Sequence, residues 1–442
     1  MTVWLLYNAI LTIGAVVLAP IWIFRVMATP RHRQTLLKRL GFSFRRSSPR
    51  RNGSSGFRLW LHALSVGEVH ASQALVDGLF NAYPDIDLTF TASTLTGFQT
   101  AERIFSNRPI DLAYYPLDWI VSIQMVANRI DPDAVILIET DIWPNFLTAM
   151  HQRGVPVYLV NMRLSDSAFR TFRRLKWAAR LLLGAFEMIC VQTRQDLTRL
   201  GRVGVESRRV AVTGNIKFDD EGHCESDRTI DHWPELLAAV DHRQVIVAGS
   251  THEGEETQLL AAVEVIEEQH KPPLLILVPR NPDRSRHLLD VCDEAGRSCC
   301  LLSRLLEGGG LQRPEVVVVD FIGALKRLYV LADVAFVGGS LSPEGGHNPL
   351  EPAAFAKPVL FGPDMRDFHH IAELLKHAGG ARQLAQQEPL GPILLELLSD
   401  PASARRMGQR AREVFLSNKG AVRRTLDRLN LEQLHENRER HA

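Results

Sequence analysis

The feature that most constrains this chain is a short apolar run followed by a helical stretch, a pair that recurs along nearly its whole length. The apolar runs of the first half span residues 58–64, 87–93, 134–138, 156–160 and 188–191. Those of the second half span residues 244–249, 274–278, 316–319, 334–337 and 359–361. Between them lie helical stretches such as 69–80 and 171–183. This alternation predicts an α/β protein with two doubly wound parallel sheets.

The length of 442 residues suits two domains, and the polar, acidic stretch 219–227 is interpreted as the hinge between them. We therefore predict an N-terminal domain over 57–222, a second domain over 223–400 and a helical tail over 401–442. We expect the two domains to face a cleft, because open parallel sheets bind ligands beyond the carboxyl ends of their strands. The five cysteines lack CxxC spacing, which favours reduced thiols over a disulfide framework or a zinc site.

The N-terminus has the composition of a membrane anchor. Residues 1–24 carry no charge and are long enough to cross a bilayer core. Residues 25–56 form a basic juxtamembrane linker, and no acidic residue occurs before position 68. This charge pattern predicts a single N-terminal anchor with the rest of the chain on the cytoplasmic side. The alternative is a helix that lies on the membrane or docks onto the body.

A glycine-rich stretch, residues 338–353, connects a buried strand to the start of a helix. Glycines allow a close approach of ligand to backbone, and a helix N-terminus offers free N–H groups, so a phosphate is a candidate ligand without any metal. The alternative is structural. Asn348, Pro349 and Glu351 have the spacing of a capping box, which explains them without a ligand.

Acidic side chains follow two of the predicted strands in the first half. Glu68 comes after the first strand and is a candidate proton acceptor, although Ser65 and Glu68 also have capping-box spacing. Glu139 opens a loop that also contains Asp141 and Trp143, interpreted as a site rim or as a loop anchored by its tryptophan. A lysine, Lys217, follows a glycine at the predicted edge between the domains.

The second half offers cations and a second glycine turn. Arg280 ends a strand with a guanidinium suited to phosphate or carboxylate. Gly323 precedes a helix, where backbone groups can contact a base. His252 and Glu256 have i, i+4 spacing, but no third ligand is near them in sequence and a metal site is not favoured. The absence of GxxxxGK[ST] and of GxGxxG after the first strand excludes P-loop hydrolysis and dinucleotide binding of the usual kind.

Seven collinear motifs together resemble one family, the Kdo (3-deoxy-D-manno-octulosonic acid) transferases of lipopolysaccharide and lipid A biosynthesis. The motifs are W-L-H-A-L-S-V-G-E (60–68), E-T-D-I-W-P-N (139–145), N-M-R-L-S (161–165), G-N-I-K-F-D (214–219), S-T-H-E-G-E-E (250–256), V-P-R (278–280) and V-G-G-S-L…G-G-H-N-P-L-E (337–351). The resemblance covers nearly the whole chain.

The resemblance implies a GT-B glycosyltransferase with two Rossmann-like domains. It implies that Kdo moves with inversion from the donor CMP-Kdo to the lipid A precursor lipid IVA, an acylated, phosphorylated glucosamine disaccharide. It implies a reaction at the cytoplasmic face of the inner membrane. CMP-Kdo is a substrate, and the resemblance implies no cofactor, no metal and no nucleic-acid partner.

The resemblance also implies roles for individual residues. Glu68 corresponds to the catalytic base, and Glu139 and Lys217 to residues that stabilise the transition state. The positions that correspond to CMP contacts are Pro279, Arg280, Ile322, Gly323, Ala324, Asn348, Pro349, Leu350 and Glu351. The chain departs from the common pattern at Ala324, where glutamate is usual, so only main-chain groups can act there. It also departs at Asn281, where histidine is usual, and at Asp367, where asparagine is common.

Two other functions fit the same strand-end pattern. One is a different membrane-bound GT-B transferase that uses a UDP-sugar. The other is a membrane-tethered nucleotide-binding protein without catalysis, against which the carboxylates at the strand ends argue.

Overall fold

A computed structural model describes residues 7–14, 17, 35, 38–40, 57–219, 233–309 and 313–432. The chain divides into two units. Unit 1 comprises residues 1–220 and 419–442, and unit 2 comprises residues 221–418. Each unit is built on its own seven-stranded parallel sheet, as the alternation of apolar runs and helices predicts.

Unit 1 alternates strands and helices along the chain. Its strands are β1 (Arg58–Ala63), β2 (Asp87–Ala92), β3 (Ile110–Tyr114), β4 (Ala134–Ile138), β5 (Val157–Met162), β6 (Met188–Val191) and β7 (Val210–Val212). Its helices are α1 (Val66–Ala82), α2 (Leu95–Ile104), α3 (Ile120–Ile130), α4 (Pro144–Gln152), α5 (Asp166–Arg174), α6 (Lys176–Leu183) and α7 (Arg194–Val203), with 3₁₀ turns at Ser207–Arg209 and Ile216–Asp219.

Unit 2 repeats the pattern. Its strands are β8 (Val245–Thr251), β9 (Leu274–Pro279), β10 (Cys299–Leu301), β11 (Val316–Val318), β12 (Val334–Val337), β13 (Val359–Phe361) and β14 (Ala381–Gln383). Its helices are α8 (Pro234–Val240), α9 (Glu255–Glu267), α10 (Ser285–Glu294), α11 (Leu302–Leu306), α12 (Leu325–Leu328), α13 (Leu350–Ala354), α14 (His369–His377), α15 (Leu390–Ser399) and α16 (Pro401–Asn418), with a 3₁₀ turn at Pro282–Arg284. The last helix of the chain, α17 (Ala421–Leu429), belongs to unit 1.

The strand orders place a switch point in each sheet. In unit 1 the order is β3-β2-β1-β4-β5-β6-β7, so the chain first builds outward from β1 on one side and then returns to place β4 on the other. In unit 2 the order is β10-β11-β9-β8-β12-β13-β14, and β8 and β12 are the corresponding neighbours. Loops that leave such neighbouring strands on opposite faces open a crevice at their carboxyl ends, which is where ligands bind in sheets of this kind.

The central strands are continuous apolar runs in the sequence because helices cover both faces of each sheet. Every residue of β4 is buried, and so is every residue of β9. The aromatic cluster of unit 1 forms around Trp60, whose ring packs edge-on against Phe146 at 5.0 Å between centroids. These cores fix the strand ends that carry the candidate residues.

The sequence prediction was incomplete at the sheet edges. Residues 110–114, 299–301 and 381–383 form strands that the apolar pattern did not reveal, because they are short and mixed in polarity. The single helix predicted over 171–183 is wrong. It is two helices, α5 and α6, which meet at Leu175, where the backbone leaves the helical region (φ −109°, ψ 49°).

The predicted anchor and linker, residues 1–24 and 25–56, lie mostly outside the described residues. Of the anchor, residues 7–14 are helical, and the Tyr7 hydroxyl donates a hydrogen bond to Asp118 at 2.8 Å. The side-chain amides of Asn8 and Asn145 exchange two hydrogen bonds of 2.9 Å. Within the described part of the chain, no helix has both the length and the apolar character that crossing a membrane requires.

The tail predicted over 401–442 is divided between the units. Helix α16 belongs to unit 2, whereas α17 packs against α1 of unit 1. Asp219 anchors this return, because its carboxylate accepts hydrogen bonds from the N–H groups of Gly420 (2.6 Å) and Val422 (2.5 Å). Gly78 on α1 leaves room for Val422, since a Cβ at position 78 would lie 2.6 Å from a Val422 methyl group.

Candidate active site

Glu68 lies in the first turn of α1, directly beyond the end of β1. Its Oε2 accepts a hydrogen bond from the N–H of Leu64 at 2.6 Å, and the residue is only 8% exposed. The capping-box alternative is wrong, because the Ser65 side chain makes no capping hydrogen bond and Glu68 accepts from the N–H of Leu64 instead of that of Ser65. Glu68 therefore braces the strand-to-helix turn while its carboxylate stays at the carboxyl end of the sheet.

The surroundings of Glu68 favour its protonated form. Burial and then the negative charge of Glu139 raise the pKa of Glu68 to about 8 from its ordinary value of 4.5. The hydrogen bond from Leu64 and the charge of Lys217 oppose this shift. A carboxyl group with a pKa close to the working pH is well matched to accept a proton during catalysis.

Glu139 is the first residue beyond β4, the strand beside β1 at the switch point. Its φ of +63° is in the left-handed region, which costs a non-glycine residue on the order of 1–3 kcal/mol. The Glu139 carboxylate lies 3.3 Å from the Lys217 ammonium. The order of the sheet thus places Glu68 and Glu139 after neighbouring strands, and the turn that follows β7 brings Lys217 to Glu139.

Lys217 is held by a turn that explains two of the sequence motifs. Its N–H donates to the Asn215 side chain at 3.0 Å, and the preceding N–H, of Ile216, donates to the side chain of Asn161 at 3.1 Å. Asn161 is fully buried at the end of β5 and has a positive φ of 61°. The turn also needs a glycine at 214, where φ is +92°. The N-M-R-L-S motif therefore supports the G-N-I-K-F-D motif.

A buried His62–Asp141 pair lies beside these residues, and the sequence reasoning missed it. The Nε2 of His62 is 2.6 Å from Asp141 Oδ2, and its Nδ1 is 2.9 Å from the Thr91 carbonyl oxygen. The Nδ1 also lies 3.0 Å from the Thr91 hydroxyl, so it can donate to the carbonyl oxygen or accept from the hydroxyl, depending on the tautomer. Burial lowers the pKa of His62, against the opposite effect of Asp141.

The remaining residues of the 139–145 motif are structural. Asn145 is fully buried, and its side chain donates to the Asp118 carbonyl oxygen at 2.7 Å as well as pairing with Asn8. Trp143 caps α4 and packs against the apolar core of unit 1. Burial raises the pKa of Asp118 to about 6, against the hydrogen bonds that it accepts from Tyr7 and the α4 backbone. The tryptophan is thus the core anchor that the alternative interpretation predicted.

In unit 2 the glycine-rich loop is already occupied by a carboxylate of the chain itself. Glu255, fully buried on α9, accepts hydrogen bonds from the N–H groups of Gly339 (2.8 Å), Ser340 (3.0 Å), Leu341 (2.9 Å) and His252 (2.8 Å). The backbone N–H groups of Gly339, Ser340 and Leu341 are therefore not available to a phosphate.

The end of the glycine loop leads into α13. Its helix begins at Leu350, one residue later than the capping box predicts, and the Asn348 side chain accepts from the Leu350 N–H at 3.1 Å. Asn348 thus contacts the first residue of the helix through its side chain, although the N-cap position is taken by Pro349. Pro349 and Leu350 are buried, whereas Asn348 and Glu351 are partly exposed.

The other predicted CMP contacts lie at the ends of strands in the same sheet. Pro279 is the buried last residue of β9, and Arg280 follows it with an exposed side chain. Ile322 is 69% exposed, Gly323 has a φ of +98°, and Ala324 is buried at the start of α12. In this turn a ligand can therefore contact Ile322 and the backbone of Gly323, whereas the Ala324 side chain is buried.

The metal pair that the sequence spacing raised does not form. Glu256 pairs with Arg284 at 2.9 Å, and His252 contacts His347 instead. In the part of the chain that the structure describes, no three histidine, cysteine or acidic side chains cluster in a way that would hold a metal ion. Cys190, Cys292, Cys299 and Cys300 are free thiols, and Cys224 lies outside the described residues.

Comparisons with known proteins identify relatives of this chain. The profile of a family described as 3-Deoxy-D-manno-octulosonic-acid transferase (kdotransferase) matches residues 34–220. The 3-deoxy-D-manno-octulosonic acid transferase of Haemophilus influenzae is 32% identical over 402 residues, covering 91% of this chain and 92% of that protein. The protein of the same name from Bordetella pertussis is 32% identical over 409 residues, covering 89% of this chain and 93% of that protein.

Among solved structures, the UDP-GlcNAc 2-epimerase of Neisseria meningitidis bound to UDP-GlcNAc has a TM-score of 0.57 and 15% identity, over 84% of this chain and 99% of that chain. At this identity the likeness concerns the fold alone. With its two parallel Rossmann-like sheets, the protein has the GT-B-like fold.

Within that class, the identity to the full-length relatives decides the family. The chain belongs to the 3-deoxy-D-manno-octulosonic acid transferase family. It is therefore a glycosyltransferase, as the seven sequence motifs predict.

Proposed function

We propose that this enzyme transfers Kdo, with inversion, from CMP-Kdo to a hydroxyl group of the lipid A precursor lipid IVA, and that Glu68 is the general base. The observation that carries the proposal is the position of Glu68 at the switch point of the first sheet, with its pKa raised to about 8 and Glu139 and Lys217 beside it. The ionised form of a carboxyl group with this pKa is a minor fraction at neutral pH, but it is a stronger proton acceptor than an ordinary carboxylate.

The proposed step is a direct displacement. Glu68 accepts the proton of the acceptor hydroxyl as its oxygen forms a bond to the anomeric carbon of Kdo. The bond from that carbon to the phosphate oxygen breaks, and its electron pair leaves with CMP. The carboxylate of Glu139 stabilises the positive charge that develops on the sugar in the transition state. The ammonium group of Lys217 stabilises the negative charge that develops.

The donor nucleotide is assigned to unit 2. Arg280 supplies a cation at the end of β9, and the exposed backbone around Gly323 supplies polar groups for a base. The residues from Asn348 to Glu351 complete the set of contacts at the end of the glycine loop. Pro279, Ile322, Ala324, Pro349 and Leu350 belong to this proposed set through their backbone or apolar surface.

The setting of the reaction follows from the acceptor. A lipid-borne hydroxyl requires an enzyme at the membrane surface, and the basic, acid-free N-terminal 67 residues fit anionic lipid headgroups. We propose the cytoplasmic face of the inner membrane as the location, with residues 1–24 as the anchor.

The test is transfer by the purified full-length enzyme in detergent with CMP-Kdo and lipid IVA, followed by mass analysis of the lipid product. The proposal expects a mass increase of one or more Kdo residues, and loss of product in Glu68→Gln. The matched control is Glu102→Gln, an exposed glutamate of α2, which leaves the rate unchanged. Near-normal turnover by Glu68→Gln would remove Glu68 as the base.

A competition experiment separates the proposal from a UDP-sugar transferase. CMP inhibits product formation if cytidylate is the leaving group, whereas UDP at the same concentration leaves it unchanged. The reverse pattern would assign a UDP-sugar. Nucleotide binding without any transfer would favour the non-catalytic alternative.

A further inference from the structure

The N-terminal helix, residues 7–14 with Val17, contacts unit 1 through two polar pairs. The Tyr7 hydroxyl donates to the carboxylate of Asp118 at 2.8 Å, and the side-chain amides of Asn8 and Asn145 exchange two hydrogen bonds of 2.9 Å. Asp118 is 7% exposed and Asn145 is fully buried. The helix is therefore docked on specific polar groups of the body.

A second position of the N-terminal part contacts the same loop of unit 1, residues 115–122. The carbonyl oxygen of Arg39 accepts from the N–H of Leu117 at 3.2 Å and from the hydroxyl of Ser122 at 2.7 Å. The guanidinium of Arg39 donates through Nε to the carbonyl oxygen of Tyr115 at 3.2 Å. The loop thus holds the chain both before and after the predicted membrane-spanning stretch.

These contacts place both positions on one side of a membrane. The partner of Tyr7 is Asp118. A partner of Arg39 is the preceding residue, Leu117, and the Cα atoms of consecutive residues are about 3.8 Å apart. A single crossing of a bilayer separates its two ends by about 30 Å of hydrocarbon. Tyr7 and Arg39 therefore cannot lie on opposite faces of a membrane while these hydrogen bonds are made.

The docked helix presents an apolar stripe to its surroundings. Ile10, Ile13 and Val17 are 61%, 63% and 67% exposed, and their spacing of three and four residues puts them on one face of a helix. Two further large apolar side chains, Trp119 (44%) and Val121 (64%), are exposed at the start of α3, in the loop that binds the helix. Contiguous apolar surface of this kind marks an interaction site.

The charge of this part of the chain indicates which partner covers the stripe. No Asp or Glu precedes Glu68 in the sequence. Lys38 is exposed, and its ammonium group lies 5.5 Å from the centre of the Tyr114 ring. A helix with an apolar face and cations beside it is typical of segments that lie in the headgroup region of anionic membranes. Tryptophan is enriched at the same depth, which suits the exposed ring of Trp119.

We propose that the N-terminal helix does not cross the membrane but lies in the plane of its cytoplasmic leaflet, docked on unit 1. Its partner is a lipid surface with anionic headgroups, which covers Ile10, Ile13 and Val17 together with Trp119. The inference rests on the proposed function for the location of the enzyme. It selects the docked helix over the spanning anchor, the two interpretations that the sequence left open.

The docking also relates the lipid surface to the proposed site. Asn145, the partner of Asn8, belongs to the loop and helix start that follow β4, and Glu139 is the first residue of the same loop. The lipid-facing helix is therefore attached at the sheet edge that carries Glu139. An acceptor in the leaflet approaches this edge from the side on which the helix lies.

The first test determines the side on which the N-terminus lies. Full-length Thr2→Cys enzyme is labelled with a membrane-impermeant maleimide in intact spheroplasts and in inside-out vesicles, and mass analysis of peptides reports labelling at residue 2. The proposal expects labelling in inside-out vesicles and none in spheroplasts. A helix that crosses the membrane once gives the reverse pattern, which would overturn the proposal.

The control for this test is Ser417→Cys, at an exposed position of α16 in unit 2. We expect its label only in inside-out vesicles. Labelling of Ser417→Cys in intact spheroplasts would overturn the proposed cytoplasmic location of the enzyme, an outcome that is separate from the failure of the docked helix.

The second test measures lipid contact. The purified full-length enzyme is floated with vesicles of phosphatidylethanolamine and phosphatidylglycerol, and the bound fraction gives a partition coefficient. Ile10→Ser, Ile13→Ser and Trp119→Ser are each expected to lower this coefficient about tenfold or more, because each removes a large apolar side chain from lipid. The matched control is Leu416→Ser, a leucine of α16 that is 51% exposed, which leaves the coefficient unchanged.

Two results of the second test would contradict the lipid surface. One is a partition coefficient that none of the three substitutions changes. The other is loss of a dimer in sedimentation experiments without loss of vesicle binding, which would assign the apolar face to a second copy of the chain.

Discussion

The Nε2 of His62 and the Oδ2 of Asp141 lie 2.6 Å apart in the interior of unit 1, where His62 is the penultimate residue of β1 and Asp141 lies in the loop after β4. The contact joins the end of β1, which precedes Glu68, to the loop that begins at Glu139. His62 is further held by a ring stack on Tyr115, with 3.7 Å between centroids. The pair therefore connects the two sides of the switch point beneath the proposed acid groups.

Removing the Asp141 side of this pair is expected to lower the free energy of unfolding. Asp141→Ala leaves a buried imidazole without its partner, which costs about 1–3 kcal/mol of unfolding free energy. Asp141→Asn keeps a polar partner for Nε2 and is expected to cost less. Urea denaturation of both variants and the wild type measures the difference. Equal stability of Asp141→Ala and the wild type would show that the contact contributes nothing.

The rate of transfer is expected to rise with pH as Glu68 loses its proton. Because the pKa of Glu68 is raised to about 8, the ionised base is the minor form at pH 7 and the major form above pH 8. We therefore expect kcat/KM to increase about tenfold per pH unit below this value and to level off above it. A rate profile over pH 6 to 9.5, at constant ionic strength, tests the expectation.

Substitutions of the two neighbouring charges are expected to move this profile in opposite directions. Glu139→Gln removes a negative charge that raises the pKa of Glu68, so the midpoint shifts to lower pH. Lys217→Met removes a positive charge that lowers this pKa, so the midpoint shifts to higher pH. Both variants also lose maximal rate. Midpoints that stay fixed in both would assign the pH dependence to another group.

The buried carboxyl of Glu68 also predicts a change in stability with pH. Its folded pKa of about 8 exceeds its ordinary 4.5, so between these values the folded protein binds more protons than the unfolded chain. Stability must then fall as pH rises through this window. Glu68→Gln avoids the loss, and we expect it to exceed the wild type by up to about 4 kcal/mol above pH 8, with no gain below pH 4.5.

Thermal unfolding at pH 4.5 and pH 8.5 measures this effect. The control is again Glu102→Gln, which should follow the wild type at both values. A constant difference between Glu68→Gln and the wild type at the two pH values would contradict the raised pKa.

Glu255 is expected to be essential for the folding of unit 2. Glu255→Ala leaves three N–H groups of the glycine loop and that of His252 without their acceptor, at a cost of several kcal/mol since each unmet group costs about 1–3 kcal/mol. Glu264→Ala, on the exposed side of the same helix, is the matched control. Loss of the unfolding transition in the first variant but not in the second, followed by circular dichroism, confirms the role.

The parallel sheets were predictable because their central strands, such as β4 and β9, are continuous runs of valine, leucine and isoleucine. The edge strands were not, because Ala381–Gln383 has no apolar pattern and exists only through pairing with β13. Glu68 and Glu139 were predictable because each follows a buried strand. Their proximity needs the strand order, which places β1 beside β4.

The buried side-chain contacts of Glu255 and of His62 could not be predicted from the sequence. Glu255 has the spacing of an ordinary first-turn acid, and nothing in its neighbourhood indicates that it accepts from a loop 84 residues further along the chain. His62 is one residue of a strand until the fold places Asp141 opposite it. Side-chain partners that are distant in the chain leave no periodic signal, whereas strands and helices do.

The return of α17 to α1 has a consequence for biosynthesis. Helix α1, which carries Glu68, packs against α17, and Val422 of α17 fits over Gly78. The residues of α17 are synthesised only after the whole of unit 2. About 200 residues separate the two parts of unit 1, which corresponds to roughly 10–40 s of translation at 5–20 residues per second. The first domain to emerge from the ribosome is thus the last to be completed, and a nascent chain stalled before residue 419 carries Glu68 on a helix that still lacks its contact with α17.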